Sequence, residues 1–336
     1  MQIRKFLVAA GLACAVGVVA AQQPALKSGL DLSTFDKSVR PQDDLFRHVN
    51  GTWLKNTEIP ADRPIAGTFV QLSDKSEADL YALIEELSGN PNRKPGPVAQ
   101  QVGDLYESFT NEKRVNELGA EPLKPVLTKI DAIASPAELA RVIGELSVIG
   151  VPGPVGGFID ADAGDPTKVA LYLAQGGTTL PDRDYYLLDD PKFVEIRGKY
   201  VEYLEKIFTM AGRADAAAAA KAVMGLETDL AKIQWTQVES RDAVKTYNKV
   251  ATAKLPADMP GFDWMGWATA QGIDKTPDVI ISQPSFFKGF AAMVPTVPMS
   301  TWKAWLAAQY ITSAGPFLSQ PFVDARFEFF GKTLSG

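Results

Sequence analysis

Cysteine and histidine are almost missing from this chain, and their scarcity limits what can hold a fold together. The 336 residues include one cysteine, Cys14, and one histidine, His48. A disulfide within the chain needs two cysteines, and a structural zinc site needs about four thiolate, imidazole or carboxylate ligands. The fold must therefore rest on an apolar core. A chain of this length can bury one, and 46% of its residues are hydrophobic.

The first 21 residues have the pattern of a secretory signal peptide. Arg4 and Lys5 precede an apolar run, and Val19-Ala20-Ala21 offers small residues for cleavage before Gln22. The run is short for a membrane-spanning helix, which needs about 20 apolar residues. We therefore expect an exported protein, periplasmic or extracellular, that loses Cys14 with the signal. A retained N-terminal membrane anchor is the alternative.

The charge balance argues against two classes of partner. The chain has 34 basic and 40 acidic residues, which gives a formal net charge of −6. We therefore expect no nucleic-acid partner and no binding to an acidic membrane surface. No second apolar run of about 18 residues follows the signal segment, so no membrane contact is expected beyond it. The sequence leaves the oligomeric state open.

The spacing of apolar residues predicts a mainly α-helical protein. Residues 22–38 read as an extended lead-in. The next stretch, 40–54, reads as a short docking helix with Asp43 and Asp44 in its first turn and Asn50-Gly51 at its end. Later helices are predicted over 73–87, 98–118, from Ser135-Pro136 onward, from Asp190-Pro191 to Gly212, over 215–237, near Trp264, near Phe286, over 300–308 and over 321–330.

Little β structure is expected beside these helices. Residues 169–173 alternate in the manner of a strand, and 154–158 offer a partner, so we predict a small sheet of two or three strands. Residues 176–187 are predicted to form a structured loop. The tryptophan pairs Trp264/Trp267 and Trp302/Trp305 each share one helix face, which favours core packing over an aromatic ligand cage.

Familiar catalytic patterns are missing from the sequence. It contains no His-Glu-x-x-His and no Gly-x-Ser-x-Gly, and Gly331-Lys332-Thr333 has Arg326 where a phosphate loop needs its first glycine. His48 lies in the docking helix and is interpreted as structural. Asp182 and Asp184 flank Arg183, and we interpret this group as a buried ion network rather than an acid–base pair.

Five stretches, in this order along the chain, resemble the neprilysin family of zinc metallopeptidases. They are VRPQDDLFRHVNGTWL followed by EIPADR, then AGTFVQLSDKSE, LPDRDYYLLDD, YNKV followed by LPADMPGFDWMGW, and FEFFGKTLSG. The third resembles the family's Leu-Pro-x-Arg-Asp-Tyr-Tyr segment. In the last, Phe330 stands where tyrosine is usual.

The resemblance implies a mainly α, multi-helix N-terminal cap domain with a small β element, over 39–336. It also implies that the thermolysin-like catalytic domain is lacking. Family members hold zinc on a His-Glu-x-x-His helix and a later glutamate, and zinc-bound water attacks the peptide bond. No position here matches those ligands, so zinc is expected in the full-length family but not on this chain.

We therefore expect the N-terminal portion of an exported zinc endopeptidase that hydrolyses oligopeptides, cut short before its catalytic half and inactive alone. The alternative is a free-standing, non-enzymatic module with the same cap fold that binds peptides or other partners.

One substrate-binding residue is suggested by the resemblance. Some family members place an arginine two residues before the glycine of a Gly-x-Phe loop, where it holds the substrate carboxylate. In this chain that position is Ile65, and Arg63 lies two residues earlier. Arg63 is therefore the candidate for this role, and no catalytic or metal-binding residue is carried over.

Overall fold

The computed structural model describes residues 28–61, 63–90 and 96–336. The chain divides into two compact units, Met1–Arg93 and Lys94–Gly336. The predicted signal peptide, residues 1–21, lies outside the described residues, as does the first part of the lead-in. The predicted limits of the lead-in and of a cap domain over 39–336 stay predictions.

Helices dominate the described part of the chain, as predicted. They are α1 (Leu45–Asn56), α2 (Thr68–Ser88), α3 (Val98–Thr110), α4 (Glu112–Leu118), α5 (Lys124–Asp131), α6 (Pro136–Val148), α7 (Asp184–Leu187), α8 (Pro191–Met210), α9 (Ala216–Ile233), α10 (Leu255–Asp258), α11 (Trp264–Gln271), α12 (Pro284–Met293), α13 (Met299–Ala314) and α14 (Gln320–Arg326), followed by a π-helical segment, Phe327–Leu334. The strands are β1 (Val155–Asp162), β2 (Asp165–Gln175), β3 (Asn248–Ala251) and β4 (Asp278–Ile281).

In the first unit, α1 differs from its prediction at both ends. Asp44 precedes the helix and caps it, since its carboxylate accepts a hydrogen bond from Arg47 N at 2.9 Å. The predicted stop at Asn50-Gly51 is wrong, because the helix continues to Asn56. Gly51 is buried, and a Cβ there would lie 2.5 Å from Asp36 Cβ. This glycine permits a close approach of the chain and does not end the helix.

The lead-in is fastened to α1 by several polar contacts. It includes a 3-10 turn, Leu32–Thr34, and Asp36 N donates to the backbone oxygen of His48 at 2.8 Å. The His48 ring lies 2.6 Å from the Val39 carbonyl oxygen through Nδ1. It also packs edge-on against Phe35. These contacts fit the structural interpretation of His48.

Helix α2 is longer than predicted and keeps its apolar stripe in contact with solvent. It begins at Thr68 and no residue in it is buried. Leu80 and Leu83 of the predicted stripe are 56% and 51% exposed. The amphipathic pattern therefore predicted a helix correctly, without showing which surface its apolar side would cover.

The sheet lies in the second unit and has four strands in the described residues, where two or three were predicted. Its order is β1-β2-β4-β3. The predicted pairing is confirmed as the antiparallel β1–β2 hairpin, while β2 and β4 run parallel and β3 pairs antiparallel with β4. The four-residue strands β3 and β4 are too short to show a clear alternation, which is why the sequence did not reveal them.

Two long helix predictions need correction. The helix predicted over 98–118 is divided at Asn111, whose side chain accepts a hydrogen bond from Arg114 N and caps α4. The helix predicted over 215–237 ends at Ile233, because Gln234 has extended backbone angles.

The second unit is centred on aromatic side chains, as the tryptophan spacing predicted. Trp264, Trp267, Trp302 and Trp305 are all at most 3% exposed. Trp264 stacks on Phe287 with ring centroids 5.7 Å apart. We call the four tryptophans, together with Phe286, Phe287 and Phe290, the aromatic core. Within the described residues, no helix is both long and apolar enough to cross a bilayer.

Candidate functional site

The predicted substrate-binding residue, Arg63, lies in the first unit shortly before α2. Its Nη1 donates to Asp74 Oδ1 at 2.6 Å, and the two side chains are 37% and 45% exposed. Asp74 is one and a half turns into α2, so the pair ties the loop to the helix. A substrate carboxylate at Arg63 would therefore have to share the guanidinium group with Asp74 or displace it.

The described residues do not fit a zinc site. In the described ranges, no three His, Cys, Asp or Glu side chains are grouped so that they could hold a metal ion. His48 directs one ring nitrogen at a backbone carbonyl group.

The second unit contains a buried polar cluster beside the segment that carries the Leu-Pro-x-Arg-Asp-Tyr-Tyr motif. At its centre is Glu227 of α9, which is fully buried. Glu227 Oε2 accepts hydrogen bonds from Tyr186 OH at 2.6 Å and Thr179 N at 3.2 Å. Its Oε1 accepts from three groups: Thr179 Oγ1 at 2.8 Å, Tyr200 OH at 3.1 Å and Gln309 Nε2 at 3.1 Å. We call these five residues the Glu227 cluster.

The cluster contains no cation, and this determines its electrostatics. Burial without a positive partner raises the pKa of the Glu227 carboxyl group, although its hydrogen bonds act in the opposite direction. Burial, followed by repulsion from Glu227, raises the pKa of Tyr186 and of Tyr200 well above the usual value. Both hydroxyl groups therefore remain protonated donors at physiological pH.

A polar cleft of about 510 Å³ lies on the other side of the same segment. One wall is formed by residues 178–183, and the opposite side includes Gln234, Trp235 and Gln283. The cleft lies where the parallel strands β2 and β4 end, a place where open sheets commonly bind ligands. Its amide groups and the Arg183 guanidinium group could donate hydrogen bonds to a polar ligand.

The glutamines in this cleft also hold its sides together. Gln175 Nε2 donates to the Trp235 carbonyl oxygen at 2.9 Å, and Gln175 Oε1 accepts from Trp235 N at 2.7 Å. Gln234 Nε2 donates to the Gly176 carbonyl oxygen at 3.0 Å. Side-chain amides thus take the place of backbone pairing beyond the end of β2.

The predicted buried ion network at Asp182, Arg183 and Asp184 is wrong. Asp182 accepts a local hydrogen bond from Asp184 N at 2.8 Å, and Arg183 Nε donates to the Ala231 carbonyl oxygen at 3.1 Å. All three residues are partly exposed. The buried carboxylate near this motif is Glu227, whose position among the apolar residues of the α9 stripe was the available sequence signal.

Comparison with known proteins places this fold in one family. The sequence model of peptidase family M13, in its N-terminal part, matches residues 41–336. Endothelin-converting enzyme 1 of Homo sapiens is 24% identical over 311 residues, covering 89% of this chain and 40% of that protein. Neutral endopeptidase of Lactobacillus helveticus is 25% identical over 313 residues, covering 91% and 47%.

A solved structure agrees in fold as well as in sequence. The zinc metalloprotease Zmp1 of Mycobacterium tuberculosis, in complex with an inhibitor, superimposes with a TM-score of 0.80 at 37% identity. The match covers 92% of this chain and 48% of that chain, so the chain spans about half the length of these relatives. The chain belongs to peptidase family M13, the neprilysin family, and corresponds to its N-terminal portion.

Proposed function

We propose that this chain is the cap-forming part of an exported zinc endopeptidase that hydrolyses oligopeptides. The observation that carries the proposal is the family match over residues 41–336. The relatives' names support a peptidase, since they include endothelin-converting enzyme and neutral endopeptidase. The zinc ligands and the general base would come from polypeptide outside this sequence, because it has no His-Glu-x-x-His motif.

The test compares two proteins, the 336-residue chain and the natural protein read from the coding DNA beyond Gly336. Both are assayed with internally quenched fluorogenic peptides and zinc. We expect peptide cleavage only by a protein that includes His-Glu-x-x-His. A chelator should abolish that cleavage. Metal-dependent turnover by the 336-residue chain itself would contradict the proposal. A natural protein that binds peptides without cleaving them would favour the non-enzymatic module.

The proposed role of Arg63 can be tested in the same peptidase assay. If Arg63 holds a substrate carboxylate, Arg63→Ala should raise KM for peptides with a free C-terminus and leave KM for their amidated forms unchanged. The matched control is Arg47→Ala, because Arg47 is also an exposed arginine near a carboxylate, with Nε 3.7 Å from Asp44 Oδ2. Equal changes in KM for free and amidated peptides would show that Arg63 does not hold the substrate carboxylate.

Export is proposed from the signal pattern at residues 1–21. The mass of the mature protein, recovered from the periplasm or medium of its natural host, should correspond to an N-terminus at Gln22. A protein that stays in the membrane fraction with its first residues intact would instead support the anchor.

A further inference from the structure

The Glu227 carboxylate accepts hydrogen bonds from five donor groups, and none of these donors is charged. Thr179 N cannot reverse its role, and the Tyr186 oxygen already accepts from Leu180 N at 2.8 Å and from Thr179 N at 3.0 Å. Gln309 Nε2 also donates to Thr179 Oγ1 at 2.9 Å. A proton on Glu227 can therefore be accommodated only by rearranging hydroxyl groups, on the Oε1 side.

The same hydrogen bonds hold one wall of the polar cleft. Thr179 and Leu180 belong to that wall, and their backbone N–H groups end at Glu227 and Tyr186. The wall is therefore attached to α9 at two places: through the titratable Glu227 carboxyl group with the tyrosine that it binds, and through Arg183 Nε, which donates to the Ala231 carbonyl oxygen. Only the first attachment can titrate.

Within the described residues, the groups hydrogen-bonded to Glu227 carry no positive charge. Tyr186 of α7 and Tyr200 of α8 are the titratable groups that touch it, and α13 contributes the neutral amide of Gln309. Among the ion pairs of the described residues, none includes Glu227. Nothing but hydrogen bonds compensates for a charge at this position.

We propose that the Glu227 carboxyl group is a proton-linked latch on the cleft wall formed by residues 178–183. The latch is closed most firmly when the buried carboxyl group is protonated. When the wall opens, water reaches the carboxyl group, and the ionised form gains its hydration. Opening therefore releases a proton, and a rise in pH promotes it. A latch of this kind would act whether or not the protein cleaves peptides.

The direction of the pH dependence follows from the linkage between proton binding and the closed and open states of the wall. In the closed state burial raises the pKa of Glu227 above its ordinary value of 4.5, and in the open, hydrated state the pKa returns toward that value. Below pH 4.5 both states are protonated and pH has no effect through this group. Between 4.5 and the raised pKa the open population grows by at most about tenfold per pH unit, and above that pKa it is constant.

Hydrogen exchange measured by mass spectrometry tests the latch in the natural protein that contains this chain. Protection of peptides covering residues 177–183 is measured as a function of pH and corrected for the intrinsic exchange rate. In the wild type we expect protection to fall as pH rises above 4.5. In Glu227→Gln, which cannot ionise, protection of the same peptides should not change with pH.

Two further variants keep the test decisive if Glu227→Gln does not fold. Thr179→Val removes a donor to the carboxylate and so raises the closed-state pKa of Glu227 further. The upper limit of the pH range in which protection falls should therefore move upward, while its lower limit stays the same. Tyr203→Phe is the matched control, because Tyr203 OH bonds to Thr312 Oγ1 at 3.2 Å and not to Glu227. It should leave that pH range unchanged. The proposal is overturned if protection is independent of pH in the wild type, rises with pH, or changes equally in the wild type and Glu227→Gln.

Discussion

The second unit has two interiors of opposite chemistry, the aromatic core and the Glu227 cluster. Helix α13 contributes to both, since Trp302, Trp305 and Gln309 follow one another along the same helix face, with the tryptophans nearer its N-terminal end. Trp305 even joins them, since its Nε1 donates to the Gly177 carbonyl oxygen at 3.1 Å. The rings of the aromatic core and the Glu227 carboxyl group are all buried, so the main difference between the two interiors is the directionality of their contacts.

Contacts between rings in the aromatic core have little directionality, whereas the Glu227 cluster depends on directed hydrogen bonds. A buried ring makes many weak contacts, and truncating it costs roughly in proportion to the area and volume that it loses. A buried hydrogen bond that loses one partner leaves the other partner unsatisfied. The first interior therefore contributes most of the stability, and the second fixes how particular segments are held.

The largest effect that we predict is on the aromatic core. Trp264 is fully buried, packs against four aromatic rings, and its Nε1 donates to the Met259 carbonyl oxygen at 2.8 Å. Trp264→Ala should lower the free energy of unfolding by about 3–5 kcal/mol, measured by urea denaturation. Trp264→Phe, the control, should cost clearly less because it keeps most of the ring contacts. A loss for alanine no larger than that for phenylalanine would contradict this account.

A smaller loss of stability is expected from substitutions in the Glu227 cluster, where two tyrosines can be compared. Tyr186→Phe removes a donor to Glu227 and also the acceptor of Leu180 N, so a buried amide loses its partner. We expect it to lower the free energy of unfolding by about 1–3 kcal/mol. Tyr200→Phe removes a donor to Glu227 and a side-chain contact with Thr179 but no acceptor of a backbone amide, and it should cost less, about 1 kcal/mol.

Urea denaturation at neutral pH, carried out on both variants and the wild type, gives the comparison. Both substitutions remove one hydroxyl group from a buried ring, so ring size and burial are matched. Equal losses for the two variants would mean that the orphaned Leu180 amide contributes nothing to the cost of Tyr186→Phe.

The sequence revealed the aromatic core far better than the Glu227 cluster, and distance along the chain explains why. Trp264 and Trp267 lie one helical turn apart, so their common face follows from helix geometry alone. Thr179 and Gln309, which share a hydrogen bond, are 130 residues apart. No local pattern predicts that pairing, although Glu227 in the apolar stripe of α9 was a visible irregularity.

Glycine gives a second example of what local patterns leave out. Asn50-Gly51 has the appearance of a helix end, and the pattern of helix caps supported that interpretation. Gly51 is instead in the middle of α1, where the lead-in passes too close for a side chain. A steric requirement imposed by another segment cannot be distinguished, in the sequence, from a requirement of the helix itself.

The last effect that we predict, and the one with the opposite pH dependence, involves a buried carboxylate that does have a cation. Asp162 is 1% exposed and accepts hydrogen bonds from Lys249 Nζ at 2.8 Å and Tyr247 OH at 2.7 Å. The bond from Lys249, then that from Tyr247, holds the pKa of Asp162 well below its usual value of 3.8. A carboxyl group with a depressed pKa stabilises the folded state at pH values above its usual pKa of 3.8. This contribution is lost as pH falls from 3.8 toward the depressed pKa.

Asp162→Asn should therefore be less stable than the wild type at neutral pH, and the difference should shrink as the pH is lowered below 3.8. Urea denaturation at several pH values measures this difference. Asp160→Asn is the control, since Asp160 is an exposed residue of the same strand. Glu227 has no cation and a raised pKa, so its contribution to stability should instead decrease as pH rises. If the stabilities of Asp162→Asn and the wild type fell in parallel on acidification, the Lys249 contact would not set the protonation of Asp162. The contrast between paired and unpaired buried carboxylates would then be lost.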